Sequence, residues 1–414
     1  MNDGVMRGVH VLVISTFPYP RDANTSVFVK DLLKYSPAGF TFTVIAPVPV
    51  LPWERAYREG ALAQCREKLL RELPNVREIR YIPYHALPRI FLPLSGFELA
   101  RAVEFALRDE VSSGAFSCIH AHSLFPEGWV ALRLGRKLRI PYMCTAHGSD
   151  VYRLSRRWYL KGLISEIIAE SGSVVFVSAA LLKEAARLFP DLGAKTKRVA
   201  VIPDGIDASA IRRALTGLLR PEDEKLWRTM VSRGGPVIVW VGGLRRTKQP
   251  DVALRVFQLV LTRIPNASMV FIGDGPMRGT LSRQIAKRKL SEQVVLLGTR
   301  PHQECLTWMS KADMLLITSR YEGFSLVALE ASALGTLVVG PRVGVLGDLA
   351  EEKSVVVLDD VEEARMAQAV VEALARRRPR VSLTSTVLNY DWKAVAERMV
   401  TEYELVCRGP RGGR

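Results

Sequence analysis

The run MLLITSRYEGFSLVALEASALGTLVVG, Met314–Gly340, decides the fold. MLLIT and TLVVG are short, continuous apolar stretches, the composition of strands buried on both faces. The segment between them, Ser325–Leu334, has the length and apolar content of a buried helix. The same rhythm runs along the whole chain. Strands are expected at HVLVIS from His10, FTVIA from Phe42, CIHAH from Cys118, YMCTAH from Tyr142, VVFVS from Val174 and VAVIP from Val199. After Pro236 a second series follows: VIVWVGG, MVFIGDG, VVLLG, MLLIT, TLVVG and SVVVL. Continuous apolar strands separated by helical segments predict an α/β protein with two doubly wound, Rossmann-like parallel sheets.

The rhythm breaks between Pro203 and Gly235, where a DGID turn leads into a charged segment ending in RGGP. The expected organisation is an N-terminal domain over 1–205, a C-terminal domain over 206–385, and a C-terminal helix and tail over 386–414. The amphipathic YDWKAVAERMVTEYELV within that last segment must pack on one of the domains, and it can return to the first. A hinge between two such sheets leaves a cleft at the strands' carboxyl ends, where open α/β sheets bind ligands.

Composition narrows the class. The chain has 414 residues, 48% hydrophobic and 24% charged, as in an ordinary globular protein with room for two cores. The apolar run from Val9 to Ile14 is too short for a secretory signal and ends before Pro18 and Pro20, and no run reaches the ~20 residues of a membrane span. The five cysteines, Cys65, Cys118, Cys144, Cys305 and Cys407, form no CxxC pair, which favours reduced thiols over a zinc site. A cytoplasmic protein is expected. The net charge of +16 invites an anionic partner. Nucleic acid is disfavoured because no stretch interleaves basic with stacking aromatic residues. An anionic membrane surface, phosphorylated substrates and a merely solvated basic face stay open. The segment ALPRIFLPLSGF from Ala86, with Ile90, Phe91, Leu92, Leu94 and Phe97, suits either docking on such a membrane or packing within the first domain.

Glu330 is out of place in its helix, flanked on one face by Leu326, Val327, Ala333 and Leu334. Either its carboxylate reaches the solvent rim or a ligand satisfies it. The helix N-terminus at Ser325 is a site for an anion such as phosphate, and Glu330 lies ~7.5 Å further along the axis at 1.5 Å per residue. Glu322 precedes the helix. Carboxylates on both sides of a phosphate site suit a ligand with hydroxyls at both ends, and a nucleotide diphosphate sugar is one. GDGPMRG from Gly273 is GxGxxxG with an internal proline, so it reads better as a tight turn with close packing than as a dinucleotide fingerprint.

The run from Glu322 to Glu330, with ASALG after it, resembles the E-x7-E signature of retaining GT-B glycosyltransferases of family four, glycosyltransferase group 1. Further blocks resemble that family in order: FPYPRDANTSVFVKDLL, IHAHSLFPEGWVALRLGRKLRIPYMCTAHGSD, VIPDGID, VGGLRRTKQPD and IGDGPMRGTL. The resemblance implies a GT-B fold and a metal-independent hexosyltransferase without cofactor, using a nucleotide diphosphate sugar donor and a glycan or lipid-linked acceptor. It implies front-face displacement, in which the departing diphosphate takes the acceptor's proton. His147, Glu322 and Lys248 are the implied catalytic residues. Gly243, Arg245, Arg246, Lys248, Gly298, Arg300, Gly323, Phe324, Ser325, Leu326 and Glu330 are the implied donor-binding set, with base contacts near Gly298–Pro301. There are departures. Gly243 stands where the family has a diphosphate-binding arginine, so Arg245 or Arg246 either replaces that cation or is simply solvated. Thr25 and Ser26 stand where paired glycines are common, and Gly344–Asp348 replaces a GGxPE loop. A noncatalytic nucleotide-sugar or glycan-binding protein, and an epimerase or hydrolase on the same scaffold, are the competing readings. Among the other histidines, His10, His85, His120 and His302 read as structural. His122 reads as a loop contact, and Asp150 as a helix cap in preference to a partner of His147.

Overall fold

The computed structural model describes residues 8–19, 26–50, 59–85, 92–110, 114–376 and 380–408. The chain forms two compact units, Met1–Gly205 with Trp392–Arg414, and Ile206–Asp391. Unit 1 holds seven parallel strands: β1 Val9–Ile14, β2 Phe40–Val50, β3 Val76–His85, β4 Cys118–His122, β5 Tyr142–Ala146, β6 Ser173–Phe176 and β7 Val199–Val201. Their order is β3-β2-β1-β4-β5-β6-β7. Strand order reverses between β1 and β4, so the loops after these strands flank the crevice where such sheets take ligands.

β3 is absent from the strands expected from sequence. It is an edge strand and only partly buried, and its alternation is broken by Arg77, Glu78 and Arg80. Arg80 is itself held by Glu78 and Glu110, so these charges brace the edge without joining the core.

The final helix, Trp392–Arg408, belongs to unit 1. Trp392, Val395, Ala396, Met399, Tyr403 and Val406 recur at helical spacing and join the core beneath the sheet, beside the helix Val27–Tyr35. Glu402 on the same helix is buried, and it accepts from Arg198 Nε at 2.8 Å and from Ser173 Oγ at 3.0 Å, tying the helix to the start of β6 and the approach to β7. A Cβ at Gly205 would stand 2.6 Å from the Trp392 indole, so the turn before the unit boundary needs glycine there.

Unit 2 holds β8 Val237–Val241, β9 Ser268–Ile272, β10 Val294–Gly298, β11 Met314–Leu316, β12 Leu337–Pro341 and β13 Val355–Leu358. All are parallel, in the order β10-β9-β8-β11-β12-β13. Here the order reverses between β8 and β11, and the loops after these two strands carry most of the candidate donor-side residues. Ile206 N–H donates to Tyr390 O at 2.8 Å, so the two chain crossings leave unit 2 side by side.

Candidate functional site

In unit 2 the loops after β8 and β11 are laced together. Thr318 Oγ1 donates to the carbonyls of Lys248 and Gln249, and Arg320 N–H donates to Thr247 O. This registers Lys248 against Glu322: Lys248 Nζ lies 2.6 and 2.7 Å from the two carboxylate oxygens, and Ser319 Oγ donates to Oε1 at 2.6 Å. The Glu322 side chain is 9% exposed and that of Lys248 31%, so this is a partly buried ion pair whose anion is nearly desolvated and has further hydrogen bonding.

The helix Leu326–Ala333 starts one residue later than its sequence suggests. Ser325 sits ahead of it in the left-handed region (φ 78°), uncommon for a residue with a side chain. Its hydroxyl therefore does not cap the helix, and Ser325 Oγ is buried without a partner among the described residues. The first-turn amides of a helix have no intrahelical carbonyl, so the approach Gly323-Phe324-Ser325-Leu326 ends in donors. Gly344 packs against this approach: a Cβ there would stand 2.1 Å from Phe324 O, and Val345 N–H donates to the same carbonyl. The Gly344–Asp348 loop thus braces the Phe324 turn.

Glu330 lies five residues into this segment with its side chain 13% exposed, and His302 Nε2 meets its Oε1 at 2.6 Å. His302, read from sequence as structural, is thereby placed beside Glu330 of the candidate set. It opens the helix His302–Lys311, which packs beside Leu326–Ala333. Position at a helix start after the Gly298–Pro301 turn was the available signal.

Gly243 is covered by its neighbour. Arg245 Nε, Cγ and Cδ lie 3.6–3.8 Å from where a Gly243 Cβ would be, so the Arg245 chain folds over the place an arginine at 243 would leave from. Arg246 is exposed. Gly273 and Gly275 allow backbone contact between the loops after β8 and β9, with a Cβ at Gly273 only 2.0 Å from Gly242 O. These glycines serve close packing. Gly298 (φ 78°) closes the turn after β10 and accepts from Gly273 N–H.

Arg300 is committed elsewhere. Its Nε and Nη2 bind the two oxygens of Asp223 at 3.0 and 2.9 Å, and Nη1 donates to Leu297 O at 2.9 Å. Trp308 Nε1 adds a bond to Asp223 at 3.2 Å, and Asp223 is 3% exposed. Arg300, which the resemblance puts in the donor set, here braces the Gly298–Pro301 turn from within.

In unit 1, His147 follows β5 and is largely buried. Its Nε2 meets His122 Nδ1 at 3.1 Å, and its ring lies 4.3 Å from that of Phe28. Burial lowers its pKa to about 3, so the ring is neutral at physiological pH. The buried Asp150 carboxylate accepts from the amides of Leu124, Gly148 and Val151 at 2.9–3.1 Å. It caps the turn and joins the loops after β4 and β5; its contact with His147 is to the backbone amide at 3.4 Å. Ser26 Oγ bonds Thr16 Oγ1 at 2.7 Å, while Asn24 and Thr25 lie outside the described residues.

Comparison with known proteins places this geometry. Residues 222–386 match the family described as Glycosyl transferases group 1, and residues 6–210 match Glycosyltransferase Family 4. A glycogen synthase of Mycobacterium tuberculosis is 27% identical over 315 residues, 71% of this chain and 70% of that protein. A D-inositol 3-phosphate glycosyltransferase of Nocardia farcinica is 27% identical over 354 residues, 79% of this chain and 75% of its own. Among solved structures, sucrose-phosphate synthase from Thermosynechococcus elongatus superposes with a TM-score of 0.71 at 18% identity, covering 96% of this chain and 98% of that one. Anabaena HepE in complex with UDP gives 0.69 at 14%, covering 96% and 100%. With both units matched and the paired parallel sheets of the GT-B fold in place, the chain belongs to the group 1 glycosyltransferases.

Proposed function

We propose that the chain transfers a hexose, with retention of configuration and without a metal ion, from a nucleoside diphosphate sugar held by unit 2 to a hydroxyl of a glycan or lipid-linked acceptor bound on the unit 1 side. The observation that carries this reading is the Lys248–Glu322 pair just ahead of a helix N-terminus whose Ser325 hydroxyl is buried without a partner. A diphosphate supplies negative charge at the first-turn amides and an acceptor oxygen for Ser325 O–H, next to an ammonium that Glu322 already holds in place. Arg245, folded over Gly243, is the cation best placed to stand in for the family's missing arginine. HepE, of the same fold, is described with UDP-glucose, a donor of this class.

The residues then divide the work. The departing diphosphate gains negative charge, and Lys248 with the helix amides is preorganised to stabilise it. The acceptor proton goes to that diphosphate. His147, kept neutral by burial, can hydrogen-bond a hydroxyl without adding charge. Arg300 supports the turn behind the site.

Glycine at position 243 favours one second reading, a noncatalytic binder that kept the fold. Product analysis separates the two. Incubation of donor with and without a matched acceptor, in excess chelator, is expected to give acceptor-dependent transfer with the donor's anomeric configuration. Loss of transfer in chelator with recovery on adding magnesium or manganese removes metal independence. Binding without any turnover over a broad acceptor panel supports the second reading.

Glu330→Gln is expected to weaken nucleoside diphosphate binding about 10- to 150-fold, the loss of charge-assisted bonds to ribose hydroxyls at roughly 1.5 to 3 kcal/mol. His302 occupies only one carboxylate oxygen, leaving Oε2 for that contact. Titration calorimetry checks it, and equal binding by wild type and variant leaves Glu330 as the partner of His302 alone.

A seat at the inner membrane face is a further part of the proposal. Its support is the basic excess and the exposed Leu94 and Phe97 (49% and 46%) on the helix Leu92–Ala106, while residues 86–91 lie outside the described residues. No helix among the described residues is long and apolar enough to cross a membrane.

A further inference from the structure

Three imidazoles stand in a row at the carboxyl ends of β4 and β5. His120 and His122 share one face of β4, with ring centroids 4.0 Å apart, and His147 continues the row at 5.4 Å from His122 with 22° between the planes. His120 is fully satisfied: Nδ1 meets Tyr403 OH at 2.9 Å and Nε2 meets Thr145 Oγ1 at 2.8 Å. The next two rings are not. Beyond the bond between His122 Nδ1 and His147 Nε2, His122 Nε2 and His147 Nδ1 are both buried without a partner.

A neutral imidazole carries one donor and one acceptor, so the shared bond holds a single proton and permits two arrangements. In one, His122 donates, leaving His147 Nδ1 as a donor. In the other, His147 donates, leaving His147 Nδ1 as an acceptor and His122 Nε2–H as a donor. His122 lines a small pocket whose remaining wall is largely apolar except for Thr145, His147 and the carboxyl of Asp204. The Thr145 hydroxyl is already engaged by His120, so the side-chain carboxyl that charges this pocket is that of Asp204, which lines it without bonding His122 Nε2. When ionised, that carboxylate favours the arrangement that turns an N–H and not a lone pair toward the pocket, which is the second one.

We infer that His122 is a positioning residue for His147: it accepts the Nε2–H hydrogen bond of His147, fixes that ring's tautomer and plane against Phe28, and leaves His147 Nδ1 as a buried lone pair that accepts a hydrogen bond from a hydroxyl of the bound sugar. This rests on the reading of His147 as a sugar-facing residue. A neutral ring offering only a lone pair repels phosphate oxygens, so this corner of unit 1 selects O–H groups over anions.

The test uses the full chain with 15N-labelled histidine, read by long-range proton–nitrogen correlation at about pH 8, where Asp204, whose pKa burial raises to about 7, is mostly ionised. The His147 signals, assigned with H147Q, are expected to be those of the Nε2–H tautomer. H122L is expected to mix the tautomers and to lower kcat/KM about 5- to 100-fold, the effect of leaving a buried hydrogen-bonding group unpaired. H122N, whose amide oxygen can replace the Nδ1 acceptor, is expected to restore most of that loss and the tautomer. An Nδ1–H tautomer in the wild-type spectrum overturns the inference, even where H122L does not fold. So does an H122L enzyme with wild-type kcat/KM and unchanged His147 signals. Full activity of H147Q instead removes His147 from the sugar site, while the tautomer still decides what His122 does.

Discussion

Replacing Lys248 by alanine is expected to lower kcat/KM about 100- to 1,000-fold, the cost of removing one preorganised stabiliser of developing charge, roughly 2.7 to 4 kcal/mol. The size follows from how Lys248 is held. It lies in the loop after β8, its carbonyl bound by Thr318 from the loop after β11, and its ammonium is fixed within 2.7 Å of both oxygens of Glu322. Little reorganisation is needed when a diphosphate arrives. A second effect must be separated from this one, because without Lys248 the nearly buried Glu322 carboxylate loses its counter-charge and keeps the Ser319 hydroxyl, and unit 2 loses stability. Kinetics well below the melting temperature isolate the catalytic part, with a thermal scan of each variant as control. Lys248→Arg keeps the charge but not the compact ammonium, and is expected to recover only part of the rate. If Arg245 stands in for the missing arginine, the double variant with Arg245→Ala loses more than either single one. A Lys248→Ala enzyme within threefold of wild type would remove the ammonium from the mechanism.

Most of the fold was legible because buried parallel strands announce themselves as continuous apolar runs. VIVWV, SMVFI and LVVGP need no neighbour to be recognised, whereas β3 carries Arg77, Glu78 and Arg80 at a sheet edge and becomes a strand only through pairing with β2. The final helix shows the same divide. Its apolar stripe was plain in YDWKAVAERMVTEYELV, but its host depends on Glu402 meeting Arg198 and Ser173, more than two hundred residues earlier. In the site, the residues of the loop and helix from Glu322 to Glu330 are local in sequence and could be read together. The pairs that tune them are not local. His302 reaches Glu330 across 28 residues, and Asp223 takes Arg300 across 77, so neither partner could be read from the local sequence.

Arg300→Ala decides that last point, and a stability loss of about 3 kcal/mol is expected, at the low end for breaking a buried ion pair. The substitution leaves Asp223, 3% exposed, with Trp308 Nε1 as its remaining side-chain donor, while two charge-assisted bonds and the tie to Leu297 O disappear. At about 2 to 4 °C per kcal/mol for a unit of this size, the melting temperature falls by roughly 6 to 12 °C. The pH dependence has a definite sign. Hydrogen bonds from Arg300 hold the Asp223 carboxyl below its ordinary value, so the folded pKa is depressed and the stabilisation is present above the unfolded value near 3.9. It fades as pH falls through the lower folded value, and the melting curves of wild type and variant should converge in that acid range while staying apart at neutral pH. Calorimetric scans across pH check this. Nucleoside diphosphate affinity, titrated well below the lowered melting temperature, is expected to stay within about threefold of wild type, because the guanidinium is held by both oxygens of Asp223 and by Leu297 O. An unchanged melting temperature with a tenfold loss of affinity would reverse the assignment and return Arg300 to the donor site.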